Sequence, residues 1–320
     1  MHASLRATAL GLGLVAASAA LGQSYPNKPI TVVVPFAAGS GTDAVARVVM
    51  QKLSEQLKQP VVIDNRPGAS AQIAAQYAAK AAPDGYTLFM TTNTSHSANP
   101  ALYKSLKYDP IKDFTPVARI GELPFVFAVN NEVPVKTLQE FIDYAKAHKG
   151  KVSYATPNST SLVASETIKR IAGIDVLGVP YKSSPQAMTD LIGGQVQMYV
   201  VDLGSGMSML QAGKVRPLAT TTAKPLKSLP GLPPIAATVK GFDLTSWNGV
   251  FGPAGMPQAI VDRLSTELQK AVADKGVQER LGELGFEVWP SRTPAEFANY
   301  VSDQLAHWTA LIKQANIEQQ

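Results

Sequence analysis

The chain has 320 residues, 45% hydrophobic and 17% charged, with a formal net charge of +5 and no cysteine. That composition is globular rather than disordered, and the length suffices for two lobes with cores of their own. The missing cysteine excludes disulfides, thiol catalysis, cysteine zinc sites and a lipoprotein anchor, and the basic residues are too scattered for a nucleic-acid surface.

At the N-terminus, Arg6 precedes the apolar, small-residue run "ATALGLGLVAASAALG". Ala20 and Gly22 stand at alternate positions before Gln23. This pattern predicts a signal peptide over residues 1–23 and export. The run is short for a bilayer span.

"ITVVVPF" then reads as a buried strand. A helix follows, with Val45, Val49, Leu53 and Leu57 on one face. "PVVIDNRPG" is a strand and turn, "AQIAAQYAAKAAPDG" an Ala-rich helix, and "YTLFMTT" a third strand. Alternation of this kind predicts an α/β fold with a parallel sheet. Residues 93–115 read as a looser segment. "VARIGELPFVFAVN" returns to strand character. "TLQEFIDYAKAHKG" is a helix with a Thr137/Glu140 capping box and a Gly150 stop. "KVSYAT", "LVASETIKRIAG", "VLGVPY", "SSPQAMTDLIGG" and "VQMYVVD" continue the alternation, so a second α/β unit spans about Phe125 to Thr245. "FDLTSWNGVFGP" is a returning strand. Two last helices lie near 258–274 and 294–314, the second opened by Thr293-Pro294-Ala295-Glu296. Two lobes joined more than once enclose a cleft, and open α/β sheets bind ligands beyond the carboxyl ends of their strands.

The turn "PFAAGSGTDA" between the first strand and helix is the leading binding candidate. Ser40-Gly41-Thr42-Asp43 has the form of a helix start, whose free N–H groups and dipole favour an anion. The small residues Ala37, Ala38 and Gly39 allow close approach to the backbone; the same turn could serve structure alone. It lacks the Lys-Ser/Thr of a Walker loop and the third glycine of a dinucleotide fingerprint. In the second unit, Ser159, Thr160 and Ser161 can cap a helix and offer hydroxyls to a ligand. Asn93, Ser95 and His96 lie near the end of the third strand. Asp202 follows a strand and either faces the cleft or caps a helix. Trp247 is either a cleft wall or a core aromatic. No G-x-S-x-G elbow, nucleophile–base pair or metal-ligand spacing is present.

Taken together, "YPNKPITVVVPFAAGSGTDAVAR", "VVIDNRPGA", "AAPDGYTL", "VPYKSSPQAMTDLIGGQV", "SWNGVFGPAGMP" and "LGELGFEV" resemble the Bug family, the solute-binding proteins of tripartite tricarboxylate transporters. The resemblance covers nearly the whole mature chain. It implies a two-lobed periplasmic binding protein of the Venus-flytrap, type II-like kind, without catalysis or cofactor. One lobe would comprise residues 24–124 and 246–320, the other 125–245. It further implies a small carboxylate held against the turn Phe36–Asp43. The ligand's far end would meet Ser159–Ser161 and the strand ends near Tyr181 and Asp202, and a membrane permease would receive the cargo. The chain departs from the family pattern at Ser40, Ser70-Ala71, Lys182-Ser183 and Pro234 to Ala237, so the ligand's identity does not transfer. An exported α/β hydrolase-like enzyme and a ligand sensor feeding a signalling partner are the alternatives.

Overall fold

The β-branched run Ile30–Val34 forms strand β1, buried on both faces as a strand covered by helices must be. Its chain end turns through Pro35–Ser40 into helix α1 (Gly41–Leu57), and Val45, Val49, Leu53 and Leu57 are all buried on the predicted face. A computed structural model of the chain describes residues 25–320. The predicted signal peptide lies outside the described residues.

After α1 come β2 (Val61–Asn65), α2 (Gln72–Ala79), β3 (Thr87–Thr92), α3 (Asn99–Leu102) and β4 (Phe114–Leu123). The chain then passes Pro124 into β5 (Phe125–Val129), α4 (Leu138–Ala147), β6 (Ser153–Thr156), α5 (Ser159–Ala172), β7 (Leu177–Pro180), α6 (Ser184–Ile192), β8 (Met198–Asp202), α7 (Leu203–Gln211) and β9 (Arg216–Thr220). It returns as β10 (Ser246–Pro253), α8 (Gln258–Ala273), α9 (Lys275–Glu283), β11 (Glu287–Val288) and α10 (Pro294–Gln314). The strands make two sheets, ordered β11-β4-β10-β3-β1-β2 and β7-β6-β8-β5-β9.

Both sheets are mixed, not parallel as the alternation predicts. β1 pairs parallel with β2 and β3, but β10 runs antiparallel to β3 and β4. In the other sheet β5 runs antiparallel to β8 and β9. The cause is the double crossing. β5 and β10 each begin where the chain enters a lobe, at the cleft, whereas the strands around them end there. The carboxyl ends of β1, β3, β6 and β8 therefore face the same space from opposite sides.

Local signals hold at the starts of α4 and α10. Thr137 Oγ1 accepts from Glu140 N–H at 3.1 Å, and Glu140 returns the bond to Lys136 N–H at 2.7 Å. Thr293 and Glu296 repeat the box at α10. Residues 93–99 are not loose: a π-helical turn over Thr94–Ala98 leads into α3, and all seven residues are buried. Helices α7 and α9 and strands β9 and β11 are elements that the sequence pattern did not reveal. The lobes touch directly. A methyl group on Gly204, at the start of α7, would lie 2.6 Å from Gly41 Cα at the start of α1, so only glycine permits that approach at both positions.

Candidate functional site

Four helices direct their amino ends at one enclosed space between the sheets. From the first lobe comes α1, with Ser40, Gly41 and Thr42 at the cavity wall. From the second come α5, through Asn158 and Thr160, α6, through Ser184, and α7, through its cap Asp202. Leu123, Phe125 and Ser246, from the two crossings, and Thr92, Thr94 and Phe36 complete the wall. The space is small, about 20 Å³, as befits lobes in contact. It has one ionisable side chain in its lining, Asp202. Beyond Phe36 a wider mouth of about 340 Å³ opens between Gly68–Ala71 on one side and Thr156, Pro157 and Pro180–Lys182 on the other. A roomier groove of about 410 Å³ lies elsewhere, against Glu122, Thr245, Trp289 and α10. It shares no residue with the inner space.

The start of α1 is braced from below. Ser40 Oγ accepts from Asp43 N–H at 3.3 Å, which fixes the cap. Asp43 in turn accepts from Gly39 N–H at 2.9 Å, from Arg47 at 2.9 and 3.0 Å and from Asn65 Nδ2 at 2.9 Å. Asn65 also donates to the Phe36 carbonyl at 2.9 Å, which ties the turn to β2. Burial alone would raise the Asp43 pKa; the bonds from Arg47, Gly39 and Asn65 outweigh it and hold the carboxyl below its usual range. Asp43 therefore supports the turn and does not line the cavity. Gly39 has φ +80, a conformation that favours glycine, and with Ala38 it is exposed beside Pro185 of the other lobe. Ala37, Ala38 and Gly39 line neither the inner space nor the mouth; they shape the turn that Phe36, Ser40 and Thr42 present.

Asp202 both caps and faces the cavity, so the two readings open in the sequence are compatible. It accepts from Ser205 N–H at 2.9 Å, Ser205 Oγ at 2.8 Å and Ser184 Oγ at 3.2 Å. Burial raises its pKa, and those hydrogen bonds oppose the shift.

The start of α5 is used differently. Its cap is Asn158, whose side chain accepts from Ser161 N–H at 2.9 Å. Ser159 Oγ meets Thr94 Oγ1 at 2.9 Å, and Asn93 Nδ2 donates to Thr160 Oγ1 at 3.0 Å. Ser246 Oγ donates to Asn93 Oδ1 at 2.5 Å. These groups, all buried, stitch the two lobes together. Ser161 Oγ donates to the Val200 carbonyl at 2.7 Å and does not reach the cavity. Of the three hydroxyls predicted to meet a ligand, only Thr160 lines the inner space.

Three further candidates belong to the core. Trp247 is buried against Phe297 and Tyr300, because it shares a face of β10 with Phe251 while Ser246 takes the cleft face. Ser95 Oγ is held by Thr91 at 2.6 Å and by His96 Nδ1 at 2.9 Å. His96 stacks on Phe251 with ring centres 4.0 Å apart, and burial pushes its pKa down to about 3, so it stays neutral inside the lobe. Tyr181 lines the mouth. Its hydroxyl donates to Asp190 at 2.8 Å, and desolvation with that carboxylate pushes its pKa up to about 12.

Sequence reasoning missed Asn158, Ser184, Thr92, Thr94 and Ser246 as cavity residues. Each sits at a strand end, a helix cap or the first residue of a helical turn, which was the available signal. It also missed the strain at the mouth. Ala69, Ser70 and Ala71 all have φ between +46 and +70, costly for residues with a Cβ. Asn99 Nδ2 donates to the Ser70 carbonyl at 2.8 Å and Tyr103 to Ser70 Oγ at 2.9 Å, which pins this loop across the cleft from Pro180.

The profile of the tripartite tricarboxylate transporter family receptor matches residues 45–317. A UPF0065 protein of Bordetella bronchiseptica is 36% identical over 302 residues, covering 94% of this chain and 89% of the relative. Among solved structures, an R. palustris protein with adipate superposes with a TM-score of 0.90 at 36% identity, covering 92% of this chain and all of the other. The periplasmic binding protein BugD gives 0.88 at 33% identity with coverage of 92% and 100%. MatC from Rhodopseudomonas palustris, with bound malate, gives 0.84 at 33% with coverage of 90% and 100%. The family so matched is one of receptors and not enzymes, and the mixed α/β two-sheet fold is that of these solved structures. The chain belongs to the tripartite tricarboxylate transporter receptor family, the Bug proteins.

Proposed function

We propose that this receptor is exported to the periplasm by its N-terminal segment, captures a small carboxylate between its lobes and delivers it to a membrane permease. The observation that carries the reading is the convergence of four helix amino ends on one enclosed space with no Lys or Arg among the described residues that line it. The first-turn N–H groups of α1 have no intrahelical acceptors, and the dipoles of all four helices favour negative charge there. Two solved relatives hold adipate and malate, both dicarboxylates. Backbone donors suit a carboxylate without demanding one carbon skeleton, while the mouth, with Lys182, Tyr181 and the strained loop, meets the ligand's far end. Residues 24–124 with 246–320 move as one lobe and 125–245 as the other, and closure over the ligand excludes water.

Thermal melting of the mature protein against adipate, malate, succinate, citrate and benzoate tests the reading. A true ligand at 100 times its dissociation constant stabilises the fold by about 2.7 kcal/mol. Uniform failure of the panel, with an uncharged or cationic solute stabilising instead, contradicts it.

A further inference from the structure

Asp202 stands where an incoming carboxylate is drawn. Its Oδ1 reaches from the second lobe to the first turn of α1: a methyl group on Gly41 would lie 2.0 Å from that oxygen and 3.0 Å from Cγ. The side chain is buried, and its bonded donors, Ser205 N–H, Ser205 Oγ and Ser184 Oγ, are all neutral. The surrounding elements supply no compensating cation. From α1, Ser40 and Thr42 face it, while Asp43 is turned to Arg47 and Asn65 and engages that guanidinium. On the turn before α6, Lys182 is exposed at the mouth. From β8 the buried phenol of Tyr199 bears on it, and the crossing presents Leu123 and Phe125 while Glu122 lines the other groove.

A ligand carboxylate seated at the α1 amino end must therefore lie beside the Asp202 carboxylate in a narrow space. Two carboxylates in contact do not both ionise. We infer that the bound carboxylate shares one proton with Asp202, so that ligand capture takes up a proton from solution; this rests on the carboxylate reading above. No covalent bond changes. A solvent proton comes to lie between Oδ1 and a ligand oxygen, converting repulsion into a charge-assisted hydrogen bond. One negative charge remains, and the four helix ends face it.

The test uses whichever member of that carboxylate panel stabilises the protein most. Calorimetric titration in two buffers of different ionisation enthalpy counts protons, at intervals between about pH 6 and 9. Across the part of that range where Asp202 is ionised in the free protein, up to one proton is taken up. There the affinity falls by up to about tenfold per pH unit. Asp202→Asn keeps a good helix cap and presents an amide in place of the shared acid. It binds without proton uptake, with affinity independent of pH and tighter than the parent at the alkaline end. Its melting temperature, measured alongside, confirms an intact fold. Carboxylate binding with no proton uptake at any pH overturns the inference and leaves the carboxylate reading standing. So does an Asp202→Asn protein that melts normally but binds more weakly at every pH, because Asp202 then serves only as an acceptor. If no carboxylate binds the parent, both fall.

Discussion

The amino ends of α1 and α5 are built from the same vocabulary, a strand, a short polar turn and a helix start rich in Ser and Thr, yet they do different work. At α1 the cap is internal: Ser40 and Asp43 satisfy Asp43 N–H and Gly39 N–H, and Gly41 leaves the backbone open to the cavity. At α5 the Ser159 and Thr160 hydroxyls are engaged across the lobe boundary by Thr94 and Asn93. On the proposed reading the first binds the ligand, because its side chains look after their own turn. The second is a seam because its side chains look outward. A hydroxyl at a helix start thus says little until its partner is known.

Substitutions sharpen this contrast. The largest effect is expected at Gly41→Ala. The new methyl would meet Asp202 Oδ1 at 2.0 Å and Leu123 Cδ2 at 2.7 Å, so the closed form must open or distort. Overpacking of this kind costs about 1–3 kcal/mol, which weakens ligand affinity roughly ten- to hundredfold; calorimetry reads the loss and circular dichroism checks the fold. Ser159→Ala is expected to do less, and to do it to stability. It removes a buried hydroxyl pairing between lobes, worth on the order of 1 kcal/mol, and lowers the denaturation midpoint while affinity stays within a few-fold of the parent. A large affinity loss in Ser159→Ala with an unchanged midpoint would make α5 a ligand contact and dissolve the contrast.

The starts of α1, α4 and α10 were legible because capping is local: a Ser or Thr and an acid three residues on contain most of the information; at α5 the cap proved to be Asn158 and not one of the hydroxyls after it. The α1 face and the two-unit alternation were legible for the same reason, as the apolar period repeats within one element. Strand direction was not, since β10 runs antiparallel only because the chain re-enters its lobe at the cleft. Nor was the side of the sheet on which Trp247 falls. The alternation Ser246, Trp247, Asn248 puts Trp247 and Phe251 on one face, but no local feature says which face meets the cleft. Helix α7 was hidden by Gly204, Ser205 and Gly206, poor helix formers, tolerated because Gly204 lets α7 approach α1 and Gly206 lies close to Val201. The pairing of Asp202 with Gly41 joins residues of different lobes, and that depends on tertiary structure alone.

On the proposed reading, a ligand carboxylate sits on the backbone of α1 and not on the hydroxyls of α5. Amide resonances of isotopically labelled protein, followed while the carboxylate is added, test it most directly. The Gly41 and Thr42 amide protons are expected to move downfield as they donate to the ligand, more than those of Ser159 and Thr160, and an amide analogue of the ligand is expected to move them less. Saturating carboxylate binding that leaves Gly41 and Thr42 unmoved, while Ser159 and Thr160 shift, would contradict it.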